Sequence, residues 1–162
     1  MPANTKKVLE IAQPELNITR VFDAPRALVF KAWIEARHMG AWFSPQTFTS
    51  PVCELDPRPG GAIHVEMEGP DGVRYPMRGK FIEMDEPRRL VLSTYLEDGE
   101  GVFLENLVTV DFAEEGAKTR MSLSAKVVLA KAKAAPSLKG MNQGWAETID
   151  KLGDYVTTLK TL

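Results

Sequence analysis

Two histidines, one cysteine and a scatter of carboxylates are the side chains of this sequence that could do acid–base, nucleophilic or metal chemistry. His64 sits between Ile63 and Val65, so strand alternation turns it to solvent, while His38 lies on or beside a short helical segment. Neither has partners at metal-ligand spacing, and the lone Cys53 rules out a thiolate cluster and an intramolecular disulfide. Flanked by Val52 and Glu54 inside a strand-like run, Cys53 reads as an inert thiol rather than a nucleophile. Glu66, Glu68 and Asp71 surround one turn, and Glu97, Asp98 and Glu100 surround another. Paired carboxylates work as acid and base when burial splits their pKa values, but turn positions are wet. The second group also lacks the ligand spacing of a calcium loop. Gly60 and Gly61 do not lead from a strand into a helix at phosphate-binding spacing and read as a tight turn. No serine has nucleophile-elbow context. The residues therefore assign no catalytic group, no metal and no cofactor.

Methionines and aromatics carry a richer signal. Trp33, Trp42, Met67, Tyr75, Met77, Phe81, Phe112 and Trp145 fall on the inward phase of strands or on the helices that would cap them. As core, each stabilises by about 1.5–3 kcal/mol on burial. As the wall of a pocket, the same side chains give an adaptable apolar lining. The residue types alone leave core and cavity equally open. A few polar residues share that inward phase: Arg20 follows Leu16 and Ile18, Thr94 follows Leu90 and Leu92, and Asn106 keeps step with Leu104, Val108 and Phe112. The Tyr75 hydroxyl joins them. Buried polar groups need partners, and binding pockets set a few of them into apolar walls. A bulge or a rim position that puts them in water is the competing reading.

The elements that must position these residues follow from periodicity. Residues 1–14 read as an N-terminal tail, and residues 15–162 as a single domain. Leu16, Ile18 and Phe22 mark a first strand. The period then becomes helical, with Asp23 as the expected N-cap, Pro25 in the first turn, and Leu28, Val29, Ala32 and Trp33 as one stripe. A second short helix is expected over Ala36–Trp42, before Ser44 and Pro45. Six strands follow, over Phe48–Leu55, Ala62–Met67, Val73–Phe81, Arg89–Glu97, Val102–Phe112 and Thr119–Val128, separated by Gly-, Pro- and Asp-rich turns. Connections this short require antiparallel neighbours. Ala130–Ala135 reads as a loop or a frayed helix. From Pro136 one amphipathic helix is expected to reach Leu159, with Leu138, Met141, Trp145, Ile149, Leu152 and Tyr155 or Val156 on its apolar stripe and Asp150, Lys151 and Asp154 away from it. A sheet with one apolar face must bury it, and this helix is the element long enough to do so. The expected fold is thus α+β, a curved antiparallel sheet of about seven strands wrapped on a long C-terminal helix. Trp145 is placed in that interface, where its loss would cost about 3–5 kcal/mol.

Composition sets the outer bounds. With 20 basic and 22 acidic residues, the net charge of -2 gives no electrostatic case for nucleic acid or anionic membrane. No window approaches the roughly 20 apolar residues of a membrane helix, and the N-terminal lysines precede no apolar signal region. A cytoplasmic location is the plain expectation.

The segments ITRVFDAPRALVFKAWIEARHMGAWFSP, LDPRPGGAI, DGVRYPMRGKFIEMDEPRRLVLSTY and GMNQGWAETIDKLGDYV resemble the activator-of-heat-shock-protein-ATPase homologue-like family, within the START-like (helix-grip) superfamily that includes the birch-pollen-allergen proteins. The similarity spans Leu16 to Leu159. It rests on Ala24-Pro25, on the turn Arg58–Gly61, and on Gly144-Trp145 at the opening of the last helix. The resemblance implies a helix-grip fold and a cavity that holds an apolar or aromatic small molecule. Fold alone does not fix function. The expectation is a non-catalytic binder or carrier of such a molecule. Its ligand contacts would be Arg20, Trp33, Trp42, Met67, Tyr75, Met77, Phe81, Thr94, Asn106, Phe112, Trp145, Ile149 and Leu152, with Gly79 leaving room on the inward face. The alternatives are a cyclase- or hydrolase-type enzyme on a polyketide-like substrate, and an interaction protein whose partner is a heat-shock ATPase. The family's co-chaperones carry an additional domain that this sequence lacks.

Overall fold

A computed structural model describes residues 15–159, and the expected N-terminal tail lies outside the described residues. The chain runs β1 (Glu15–Phe22), α1 (Arg26–Ile34), α2 (Ala36–Trp42), β2 (Thr49–Leu55), β3 (Ala62–Glu68), β4 (Arg74–Asp85), β5 (Arg89–Asp98), β6 (Gly101–Glu115) and β7 (Lys118–Ala130). A short 3-10 turn, Ala132–Ala134, then leads into α3 (Ala135–Lys139) and α4 (Met141–Leu159). The seven strands form one curved antiparallel sheet in the order β1-β7-β6-β5-β4-β3-β2. Strands β2 to β7 are a meander, since short turns can join only neighbours. The pair α1–α2 carries the chain from one edge of the sheet to the other, which frees β1 to pair with β7.

Leu28 and Val29 donate their backbone N–H groups to Pro25 O at 3.0 and 3.1 Å, so Pro25 rather than Asp23 is the N-cap residue of α1. Proline fits there because it pre-sets φ and has no N–H to leave unpaired. Two tryptophans lock the short helices together. The Trp33 and Trp42 rings meet edge-to-face at 4.8 Å, and Trp42 Nε1 donates to Ala32 O at 3.0 Å. The turn Arg58–Gly61 is held against β4 by Gly60 N to Phe81 O at 2.7 Å and Phe81 N to Gly61 O at 2.9 Å. A Cβ on Gly61 would strike the Asp56 carbonyl, which is why glycine stands there.

The core lies between the sheet's concave face and the helices. It is built from inward residues such as Ile63, Phe81, Leu90, Leu92, Val108 and Leu123, and closed by Ile149, Leu152 and Val156 of α4. The alternation read from sequence matches the burial from Met77 to Phe81, but Val73 is exposed and belongs to the preceding turn. The last helix is not continuous: Gly140 (φ -93°, ψ 2°) separates α3 from α4. Glycine is the poorest helix former after proline, which suits it to the break between the two helices.

Candidate functional site

A partly open cavity of about 390 Å³ lies between the sheet and the N-terminal half of α4. Strands β3 to β6 give one wall, including Met67, Met77, Leu96 and Leu104; the opposite wall is Met141, Gly144, Trp145 and Thr148 of α4, extended by Pro136, Ser137 and Gly140. The segment after α2 closes the side with Phe43, Ser44, Pro45 and Phe48. Ring contacts tie these surfaces together, Phe43 to Trp145 at 5.9 Å and Phe48 to Tyr75 at 5.8 Å. Among the described residues, none of the lining side chains is charged. The cavity is an apolar space with a few hydroxyl and amide groups, the usual composition of a small-molecule pocket.

The wall formed by residues 43–48 has no regular structure, and α4 holds it in place. Lys151 Nζ donates to Ser44 Oγ at 2.8 Å, Phe48 O at 3.0 Å and Pro45 O at 3.2 Å. Glu147 Oε1 accepts from Gln46 N at 3.1 Å. Burial holds the Lys151 amine below the usual lysine range. Lys151 lies off the apolar stripe, as expected, but its long stem lets the ammonium reach across to the loop.

Six of the expected contact residues come together on this cavity: Met67, Tyr75, Met77, Thr94, Asn106 and Trp145. Tyr75 is 45% exposed and sits at the mouth. The remaining seven lie elsewhere. Trp33, Trp42, Phe81, Phe112, Ile149 and Leu152 are instead buried in the hydrophobic core, where the C-terminal half of α4 closes against the sheet and the short helices. Arg20 does hold the inward phase, but β1 is an edge strand. Its guanidinium escapes the core there and pairs with Asp150 at 3.6 Å, with 39% of the side chain exposed. Gly79 does not open the cavity either, since the β5 backbone fills the space beside it. Sequence reasoning missed Phe43, Phe48 and the Pro136–Gly140 segment. Alternation carries no information about loops, and the only available signal was the aromatic and proline content of WFSPQTF.

The remaining reactive groups sit apart from the cavity. His38 Nδ1 and the Tyr155 hydroxyl are 2.6 Å apart, and His38 Nε2 is 3.4 Å from Glu35 Oε1. Burial, then the Arg37 charge, lowers the His38 pKa against the opposing pull of Glu35. The native state therefore binds the proton less well than the unfolded chain. Stability is full above the unfolded value of 6.5 and falls as pH drops through the window between 6.5 and the lower native value. Denaturation midpoints from pH 5 to 8 should show a steeper acid-side loss for the wild type than for His38→Gln; parallel curves would count against it. His64 is half-buried on β3 rather than fully solvent-facing, with its two ring nitrogens 3.2 Å from Glu54 and 3.3 Å from Glu66. Burial, with Glu54 adding, pushes the Cys53 thiol up to about 11, which keeps it protonated and unreactive at neutral pH. Among the described residues, no three His, Cys, Asp or Glu side chains are placed to hold a metal ion, and no helix is long and apolar enough to cross a membrane.

The profile of the family described as Activator of Hsp90 ATPase homolog 1-like protein matches residues 23–157. Among solved structures, a Nitrosomonas europaea protein superposes with a TM-score of 0.79 at 23% identity, over 94% of this chain and 99% of its own. A Chromobacterium violaceum protein gives 0.77 at 21% identity over 88% and 96%. A Rhizobium leguminosarum protein gives 0.77 at 24% identity over 91% and 96%. At these identities the likeness establishes the fold. No curated protein matches the chain.

Proposed function

Because this chain belongs to the Activator of Hsp90 ATPase homolog 1-like family, whose fold commonly encloses apolar ligands, we propose that it binds or carries a hydrophobic or aromatic small molecule between its sheet and α4, without acting chemically on it. The observation that carries this reading is the 390 Å³ cavity walled by methionine, leucine and aromatic side chains. Among the described residues no Asp, Glu, His, Lys or Cys side chain lines it, which supports binding over acid–base or nucleophilic work.

Gly144 supplies the test. It lines the cavity, and a Cβ added there would meet nothing within 4 Å. A leucine at this helical position therefore fills the pocket while removing the backbone-entropy penalty of glycine. The neutral dye N-phenyl-1-naphthylamine should fluoresce on binding the wild type, and Gly144→Leu should weaken that binding at least about tenfold, with no loss of melting temperature. A wild type that leaves the dye dark, or a variant that binds it equally well, would contradict the proposal. Native mass spectrometry of freshly purified protein gives an independent check, through any retained small molecule.

A further inference from the structure

Asn106 brings to this cavity a buried side-chain acceptor, Oδ1, that has no hydrogen-bond partner among the described residues. It stands on β6 opposite Thr94 of β5, and both line the space. Two of the lining hydroxyls are already engaged: Thr148 Oγ1 donates to Gly144 O at 2.7 Å, and Ser44 Oγ donates to Phe48 O while accepting from Lys151. A buried acceptor without a donor is costly, so an occupant that supplies one is favoured over an occupant that does not. Among the described residues the same wall offers no charged side chain, so an ionised occupant would lose hydration with no opposite charge to offset it.

Resting on the binding role above, we infer that the cavity selects a neutral, mainly apolar or aromatic molecule bearing a hydroxyl or N–H donor, which it places against the Asn106 carbonyl. Hydrocarbon and ether analogues fill the space but leave Asn106 unpaired, and carboxylates are rejected. The strand geometry supports such a placement. The β6–β7 pairing shifts register between Glu105 and Asn106, and bulges of this kind re-aim side chains beside binding sites. Leu104 and Met77 border the same space, so the donor is the ligand's one polar point in an apolar bed.

Isothermal titration with 2-naphthol, 2-methoxynaphthalene and 2-naphthoate at pH 7 separates the outcomes. For the wild type, 2-naphthol should bind about tenfold more tightly than its methyl ether, and at least about tenfold more tightly than the carboxylate. In Asn106→Leu the preference for 2-naphthol over the ether should disappear, while the ether still binds. Equal wild-type affinity for 2-naphthol and the ether would mean that solvent satisfies Asn106; the selection is then wrong and the apolar cavity stands. A preference that survives Asn106→Leu would move the recognition to another group and overturn the assignment. Binding of none of the three would sink this inference together with the function it rests on. The wild-type comparison needs no variant, so a misfolded Asn106→Leu leaves the test intact.

Discussion

Replacing Trp42 by alanine should lower the unfolding free energy by about 3–5 kcal/mol, the range for emptying a fully buried aromatic site. Trp42 has no exposed surface, packs edge-to-face on Trp33 at 4.8 Å and on Phe43 at 5.4 Å, and bonds Ala32 O through its indole N–H. The loss would therefore open a void between α1 and α2 and leave a helix-end carbonyl short of a donor. Trp145→Ala should cost about half as much, because that indole is only half-buried and one side of it faces the cavity. Urea unfolding of the two variants side by side is the measurement. A Trp42→Ala loss no larger than that of Trp145→Ala would show that the packing between the short helices has been misjudged. The sequence-based expectation of about 3–5 kcal/mol for Trp145 took that indole as packed between helix and sheet, whereas the structure leaves it half-buried.

A second large effect is expected at Gly79. A Cβ built there would land on the Ser93 carbonyl oxygen far inside contact distance, with Ser93 C at 3.1 Å and Thr94 Cα at 3.3 Å. All three are backbone atoms of β5, so no rotamer change relieves the clash. Strand β4 pairs with β5 there, Gly79 opposite Thr94, and any relief has to break that ladder. Gly79→Ala should cost about 3 kcal/mol or more, at the upper end of overpacking effects. Gly144→Ala, by contrast, should be neutral or stabilising by up to about 1 kcal/mol. Thermal and chemical denaturation of both would decide it, and a Gly79→Ala protein within about 1 kcal/mol of the wild type would refute the close-approach account.

The two glycines show how far sequence reasoning reached. Alternation along MRGKF put Gly79 on the inward face, and it is buried there. Whether an absent side chain means room or crowding depends on how closely the next strand approaches, and no pattern within β4 encodes that distance. Gly144 has the same identity and the opposite meaning, because it faces open space. Arg20 follows the same logic. Its phase along β1 is inward, but among the described residues β1 pairs with β7 alone and ends the sheet, so the side chain slides past the core to Asp150.

What the sequence determined by itself was the element order, the strand-to-strand connectivity and the side of each strand that meets the helices. Those depend on local periodicity and on turns too short for anything but antiparallel pairing. It also placed Met67, Met77, Thr94, Asn106 and Trp145 on the enclosed side. Only the tertiary structure decided which part of the enclosed surface is filled and which is hollow. The C-terminal half of α4 seats Ile149, Leu152 and Val156 against the core, while its N-terminal half, which follows the break at Gly140 and is held off by the pinned loop of residues 43–48, leaves a gap over β3 to β6. Apolar periodicity reports that a residue leaves water. The distance between two such faces is set by long-range packing of elements far apart in the chain, and that distance separates core from cavity.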